Sequence, residues 1–242
     1  ETEALIRASG GDARRLLNVL EMVVASVPKG KIEVTNNRVK EIIQATTAGY
    51  DKGGEAHYDI ISAFIKSIRA SDPNAAVYYL ARMIEGGEDP KFIARRLLIA
   101  ASEDVGNANP TALVLATSTF HAVERIGMPE ARILLSQCTV YLASPPKSNA
   151  SSMAINQAQK LVRETGDLQV PLHLRNAPTQ LMSKLGYGDG YQYDHDSNGG
   201  FISQECMPES LSGNTLYTPG NNPREKSMRE YLKAVWKNKY GY

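Results

Sequence analysis

Arg14 is the residue whose type and position point most directly to chemistry. It follows Gly11-Asp12-Ala13 and opens a stretch whose apolar residues recur at the i, i+3, i+4 and i+7 spacing of one helix face. This spacing predicts a helix with Arg14 in its first turn, where free backbone N–H groups and the helix dipole favour an anion. A guanidinium there reaches a phosphate through two hydrogen bonds. The alternative interpretation of the same spacing is a solvated arginine on a helix surface.

The sequence contains none of the common catalytic patterns. It has no Walker A loop, no His-Glu-x-x-His, no Gly-x-Ser-x-Gly and no Cys-x-x-Cys. The four histidines are too scattered for a metal site, and His195 lies between Asp194 and Asp196, a pattern typical of turns. Gly186-x-Gly188-x-Gly190 neither follows a strand nor opens a helix, so it is no dinucleotide fingerprint. We therefore expect neither a catalytic residue nor a metal ligand in this chain.

The composition excludes several classes of protein. The 27 Lys and Arg balance 26 Asp and Glu to a net charge of +1, so a nucleic acid would have to bind through a local basic patch. Two cysteines, Cys138 and Cys206, exclude a disulfide framework and favour a reducing compartment. No run of 18 apolar residues predicts a membrane span. The sequence opens on Glu1 in helical register, so we expect it to be part of a longer protein.

Helical periodicity dominates the first 165 residues and predicts an all-α bundle. An Asx-Pro pair that suits a helix start occurs three times, at Asp72-Pro73, Asp89-Pro90 and Asn109-Pro110. Gly86 and Gly127 suit the position just after a helix. Residues 186–223, rich in Gly and Tyr, predict an ordered irregular segment, and residues 224–242 predict a basic terminal helix.

Long strings of this sequence resemble the RarA/MgsA family, called Werner-interacting ATPases in eukaryotes. The resemblance covers nearly the whole chain and is weakest in its last 20 residues. The strings occupy residues 50–59, 61–69, 71–73, 87–97, 102–106, 122–132, 146–150, 171–179 and 185–191.

The resemblance assigns a role to the helix that is predicted to carry Arg14 in its first turn. Residues 11–18 resemble the sensor 2 motif in the lid of clamp-loader-type AAA+ ATPases, where the arginine matching Arg14 touches the γ-phosphate of ATP. Arg15 is the fallback candidate. ATP and Mg²⁺ are then cofactors of the intact parent, whose Walker A lysine, Walker B acids, sensor 1 and arginine finger lie outside this chain. We expect this chain alone to bind neither cofactor and to hydrolyse no ATP.

The resemblance also implies an organisation and a biological setting. It implies a lid remnant at 1–48, a collar-like oligomerisation bundle of several helices at 49–165, and an irregular segment with a terminal helix at 166–242. The resemblance implies a homotetrameric protein that acts in replication-fork maintenance, recombination and repair. For a bacterial member this implies a cytoplasmic, nucleoid-associated protein with DNA and replication proteins as partners, among them single-stranded DNA-binding protein, and no membrane.

Two functions for the chain remain open at this point. The first is an assembly module, because residues 111–119 are apolar nearly all round and need cover from a neighbouring subunit or from the irregular tail. The alternative is a helical module that contacts single-stranded or forked DNA directly. Its candidate phosphate contacts are the basic last helix and Arg95, Arg96, Arg132, Lys147, Arg163 and Arg175.

Overall fold

The computed structural model describes residues 2–9, 13–26, 33–47 and 55–242, without the side chains of Arg14, Arg15 and residues 44–47 and 55–57. Within these ranges the chain is helical and has no strand, which confirms the all-α prediction. No helix of the described ranges is long and apolar enough to cross a membrane. The helices are α1 (Glu3–Ser9), α2 (Ala13–Ala25), α3 (Asn36–Thr47), α4 (Glu55–Arg69), α5 (Pro73–Glu85), α6 (Pro90–Ala100), α7 (Thr111–Ile126), α8 (Ala131–Ala143), α9 (Ala150–Thr165), α10 (Gln180–Lys184) and α11 (Pro223–Trp236).

The chain divides into two compact units, which we describe separately. The first unit comprises residues 1–98 and 116–144, and the second comprises residues 99–115 and 145–242. In the first unit, α1, α2 and α3 pack around a small core of Leu5, Val19, Val23 and Val39. The Asn36 side chain accepts a hydrogen bond of 3.0 Å from the Ala4 N–H and so joins the start of α3 to α1.

Helices α4 and α5 form a hairpin that packs on α8 in the same unit. Asp72 begins α5 as predicted, since its carboxylate accepts a 2.9 Å hydrogen bond from the Ala75 N–H. At the other end the prediction for Gly86 was one residue early. Gly86 keeps a helical φ of −75°, and Gly87 takes the left-handed φ of 75°. The N–H groups of Gly87 and Glu88 then bond the carbonyls of Ile84 and Met83, which closes the helix end.

The second unit begins where α6 gives way to a π-helical turn, Ala101–Val105, followed by the 3₁₀ turn Gly106–Ala108. Helix α7 starts at Thr111, one residue later than Asn109-Pro110 predicts. As expected, residues 186–223 are irregular, with two short 3₁₀ turns at Asp194–Asp196 and Glu209–Leu211.

The terminal helix is shorter than the sequence predicts. Helix α11 ends at Trp236, because Lys237 takes a φ of 51° and reverses the chain. The chain beyond it packs back, since the ring of Tyr240 lies 5.2 Å from that of Trp236. The ring of Phe201, from the irregular segment, lies 5.1 Å from the same tryptophan. The reversal and this aromatic packing therefore replace the regular helix that was predicted for residues 237–242.

Candidate nucleotide-contact helix and polar core

Helix α2 carries the candidate nucleotide contact. It begins at Ala13, so Arg14 and Arg15 occupy its first turn, as predicted, while their side chains lie outside the described part of the structure. Val19 and Val23 are buried on one side of α2. With a helical step of about 100°, the Cα of Arg14 lies on the opposite side, whereas that of Arg15, one turn before Val19, lies on the side of the two valines. The angular positions around α2 therefore favour Arg14 over Arg15 as the position that faces away from the core.

The basic residues proposed as a DNA patch are divided between the two units. Arg95, Arg96 and Arg132 belong to the first, and the others belong to the second. Arg95 pairs with Asp89 at 3.6 Å and lies 5.9 Å from the ring of Phe92. The carboxylate of Asp89 also accepts the Lys91 N–H at the start of α6. Arg95 therefore has a local role at the start of its own helix.

Arg175 is bound within the second unit. Its Nε donates to the Val170 carbonyl at 2.6 Å, one terminal nitrogen donates to the Tyr187 hydroxyl at 3.2 Å and the other to Gln169 at 3.3 Å. The guanidinium lies 5.1 Å from the centre of the Tyr187 ring. These contacts hold the loop before Arg175 against the start of the Gly-rich segment.

The chain end is held by a tail clasp, which we define as Glu205, Lys239 and Trp236. Lys239 Nζ lies 3.1 Å from a Glu205 carboxylate oxygen and 4.5 Å from the centre of the Trp236 ring. Partial burial raises the pKa of Glu205, but hydrogen bonds from Ser212, the Met207 N–H and Lys239, with the charge of Lys239, lower it to about 2 overall.

The tail clasp will open in acid. Because its folded-state pKa is depressed, Glu205 contributes stability above its ordinary pKa of 4.5 and loses that contribution as the pH falls towards 2. We expect the fluorescence of Trp236, the single tryptophan, to change over this range. Glu205→Gln will show the altered spectrum already at neutral pH, whereas Glu209→Gln, at an exposed glutamate of the same segment, will titrate like the wild type. Superimposable titrations of the wild type and Glu205→Gln would contradict this role.

A buried polar core in the second unit joins three stretches that are distant in sequence. The Ser148 N–H donates to the Asp104 carbonyl at 2.8 Å, at the π-helical turn. Gly106 lies so close to Ser148 that a Cβ on Gly106 would stand 2.6 Å from the Ser148 carbonyl oxygen. This contact brings the strings 102–106 and 146–150, quoted above for their resemblance, against each other.

Glu225 completes this core at the start of α11. It is 0% exposed, and its carboxylate accepts hydrogen bonds from the Tyr217 hydroxyl at 3.3 Å and from the Asn222 side-chain amide. Burial raises the pKa of Tyr217; a hydrogen bond with Asn107 opposes that rise and the Glu225 charge adds to it. Sequence reasoning treated this helix as a solvated basic one and missed Glu225. The Asn222-Pro223-x-Glu225 spacing of a capping box was the available signal.

His173 and His195 make contacts within the second unit. His173 Nε2 lies 2.7 Å from the Glu205 carbonyl oxygen, and the ring of His195 lies 5.1 Å from that of Tyr193. Asp194–Asp196 form a 3₁₀ turn, as the sequence favours, and the Asp194 side chain also accepts the Ile202 N–H at 2.9 Å. No cluster of three or more potential metal ligands occurs within the described ranges.

Comparison with known families decides the identity of the chain. Residues 70–236 match the family described as "MgsA AAA+ ATPase C terminal", and residues 1–69 match the "AAA C-terminal domain" family. The chain belongs to the MgsA C-terminal family. This confirms the resemblance found from the sequence strings.

Related proteins extend the family match. An uncharacterized protein of Thermotoga maritima is 48% identical over 99% of this chain and 38% of its own length. The Replication-associated recombination protein A of Coxiella burnetii is 44% identical over 94% of this chain and 52% of its own length. The Escherichia coli K12 protein of that name is 42% identical over 95% and 52%. The chain thus spans about half or less of the length of these relatives.

Proposed function

We propose that this chain is the C-terminal assembly module of a AAA+ ATPase that acts in replication-associated recombination. The family match and the printed names of the relatives support this setting. In the proposal, residues 1–48 end the AAA+ lid, residues 49–165 form the oligomerisation bundle and residues 166–242 stabilise it. The intact protein then hydrolyses ATP with Mg²⁺ on DNA in the cytoplasm, and single-stranded DNA-binding protein is a candidate partner.

The observation that carries the assembly role is the exposed apolar surface of α9. This helix runs for 16 residues and none of them is buried. Ile155 is 56% exposed and Val162, seven residues later on the same side, is 62% exposed. In the same unit Val114 of α7 is 65% exposed, so the irregular tail leaves it uncovered. An apolar helix face of this kind is typical of a surface that pairs with a copy of itself, and closed homo-oligomers are the usual result.

We expect the purified chain to form a homotetramer at micromolar concentration, with a dimer as the next stable state. The double substitution Ile155→Glu/Val162→Glu will place charges on the apolar face and yield smaller species in multi-angle light scattering. Gln157→Glu, at an exposed position on the far side of α9, is the matched control and will leave the mass unchanged. A wild-type chain that remains monomeric across a wide concentration range would overturn the assembly role.

The nucleotide role of α2 rests on the family's sensor 2 motif and on the position of Arg14 at a helix N-terminus, which suits a phosphate. In the intact protein, this chain would place the positive charge of Arg14 at the γ-phosphate of ATP, where it would stabilise the negative charge of the transition state. ATP with Mg²⁺, bound chiefly by residues outside this chain, supplies the transferable phosphoryl group.

Arg14→Ala in the intact protein will lower ATP turnover. Removing one charge-assisted contact to the transferred group raises the activation free energy by about 2–4 kcal/mol. Arg15→Ala is the matched control on the adjacent residue and will retain most of the activity. Circular dichroism will show the same helix content in both variants. Equal turnover of Arg14→Ala and the wild type would exclude the assignment, and loss in Arg15→Ala alone would transfer it to Arg15.

A further inference from the structure

Helix α2 carries an exposed leucine on the side that it shares with Arg14. Leu17 is 60% exposed, whereas Val19 and Val23 of the same helix are buried. At about 100° per residue, the Cα of Leu17 lies about 60° from that of Arg14 around the helix axis and about 120° or more from those of the two valines. Leu17 is therefore an apolar side chain on the outer side of α2, one turn after Arg14.

The remainder of this side gives it a direction along the helix. Glu21 is exposed two turns after Arg14, and Val24, one turn beyond Glu21, is 40% exposed. A shallow depression of about 340 Å³ lies on the same side, lined by Asn18, Glu21, Met22 and Ala25. The outer side thus runs from a cation through the apolar Leu17 to a carboxylate, so an anion is attracted to the Arg14 end and repelled at the Glu21 end.

Contact between Arg14 and ATP requires the outer side of α2 to face the residues that bind ATP. In the proposed function these residues lie chiefly outside this chain, which spans about half the length of the curated relatives it matches. Leu17 is only about 4.5 Å further along the helix axis than Arg14. A protein surface that brings ATP to Arg14 therefore also approaches Leu17, and removing water from an exposed leucine stabilises such a contact.

We propose that Leu17 is a positioning residue for Arg14. It packs on an apolar surface of the ATP-binding part of the intact protein and thereby holds the N-terminus of α2 at the γ-phosphate. Leu17 touches no reacting atom; its burial stabilises the arrangement in which Arg14 makes its contact. The proposal rests on the proposed nucleotide role of α2.

Single-turnover ATP hydrolysis by the intact protein tests this coupling with Leu17→Gln, Arg14→Ala and the double variant. Glutamine keeps the helix propensity of leucine and removes only the apolar contact. We expect Leu17→Gln to slow hydrolysis about tenfold, as the loss of one buried leucine contact does. In the Arg14→Ala background the same change will have less than about a twofold effect, because residues that act as a unit are not additive. Leu17→Met, which stays apolar, will retain the wild-type rate.

Ile133 offers the matched control, because it is 58% exposed on α8 and has no part in the proposal. Ile133→Gln will hydrolyse ATP like the wild type. Hydroxyl-radical footprinting of the intact wild type gives a readout that does not depend on hydrolysis. With Mg²⁺ and a non-hydrolysable ATP analogue bound, Leu17 will be oxidised several times more slowly than Ile133, although the two side chains are equally exposed in this chain.

The outcomes separate this proposal from the nucleotide role on which it rests. Equal slowing by Leu17→Gln in both backgrounds would contradict the positioning role, as would oxidation of Leu17 as fast as that of Ile133. If Leu17→Gln is silent while Arg14→Ala slows hydrolysis, Leu17 has no such role and the nucleotide contact stands. Unaltered hydrolysis by Arg14→Ala would instead remove the nucleotide contact, and the role of Leu17 with it.

Discussion

Gly106→Ala will destabilise the second unit by about 2–6 kcal/mol. Gly106 has a φ of 49° and a ψ of −138°, a region that only glycine occupies without strain of about 1–3 kcal/mol. The new Cβ would also stand 2.6 Å from the Ser148 carbonyl oxygen, and this overlap with backbone adds about 1–3 kcal/mol. Neither group moves easily, because the Ser148 N–H is hydrogen-bonded to the Asp104 carbonyl in the π-helical turn.

Gly166→Ala separates these two contributions. Gly166 follows α9 in the same unit with a φ of 71° and a ψ of −160°, and a Cβ there would meet no atom within 4 Å. We expect this variant to lose only the backbone part, about 1–3 kcal/mol. Urea denaturation, monitored through the fluorescence of Trp236, measures the free energy of unfolding of the second unit in both variants. Equal loss of stability in the two variants would show that Ser148 yields and that the contact carries no energy.

Glu225→Ala will cost the same unit about 3–5 kcal/mol. The substitution removes the carboxylate that accepts from the half-buried Tyr217 hydroxyl and Asn222 amide, at about 1–3 kcal/mol for each group. It also opens a cavity where the fully buried side chain had been. Unfolding at a lower urea concentration, monitored through the fluorescence of Trp236 in this unit, is the expected result.

Two further variants define the cause of this loss. Glu225→Gln keeps the shape but turns one acceptor into a donor opposite the Asn222 amide, so we expect a smaller loss of about 1–2 kcal/mol. Glu230→Ala, on the exposed side of α11, will stay within about 0.5 kcal/mol of the wild type. If Glu225→Ala were as stable as Glu230→Ala, the buried carboxylate would have no structural role.

Local signals in the sequence were sufficient for the starts of α5 and α6, for the start of α7 to within one residue, and for the irregular segment. Asp72 caps α5 through a neighbour three residues away, so both partners of the contact stand in one short string. The Gly and Tyr content of residues 186–223 likewise excluded regular helix without any knowledge of their surroundings. At the end of α5, the sequence pattern could not predict which of Gly86 and Gly87 takes the positive φ, because both glycines are equally able to adopt it.

The identity of the family and the position of Arg14 in a first turn also came from the sequence, since long motif strings and helical spacing are properties of the chain itself. The tertiary structure alone decided the roles of Glu225, Gly106 and Arg175. Glu225 has exposed residues on either side of it in a basic helix, yet it is buried because Tyr217 and the loop before α11 fold over it. Gly106 and Ser148 are 42 positions apart in the sequence, and only their close approach makes a side chain at 106 impossible. The physical reason is the same in each case: burial and close contact depend on which distant segments meet, and the spacing of residues along one helix carries no record of that.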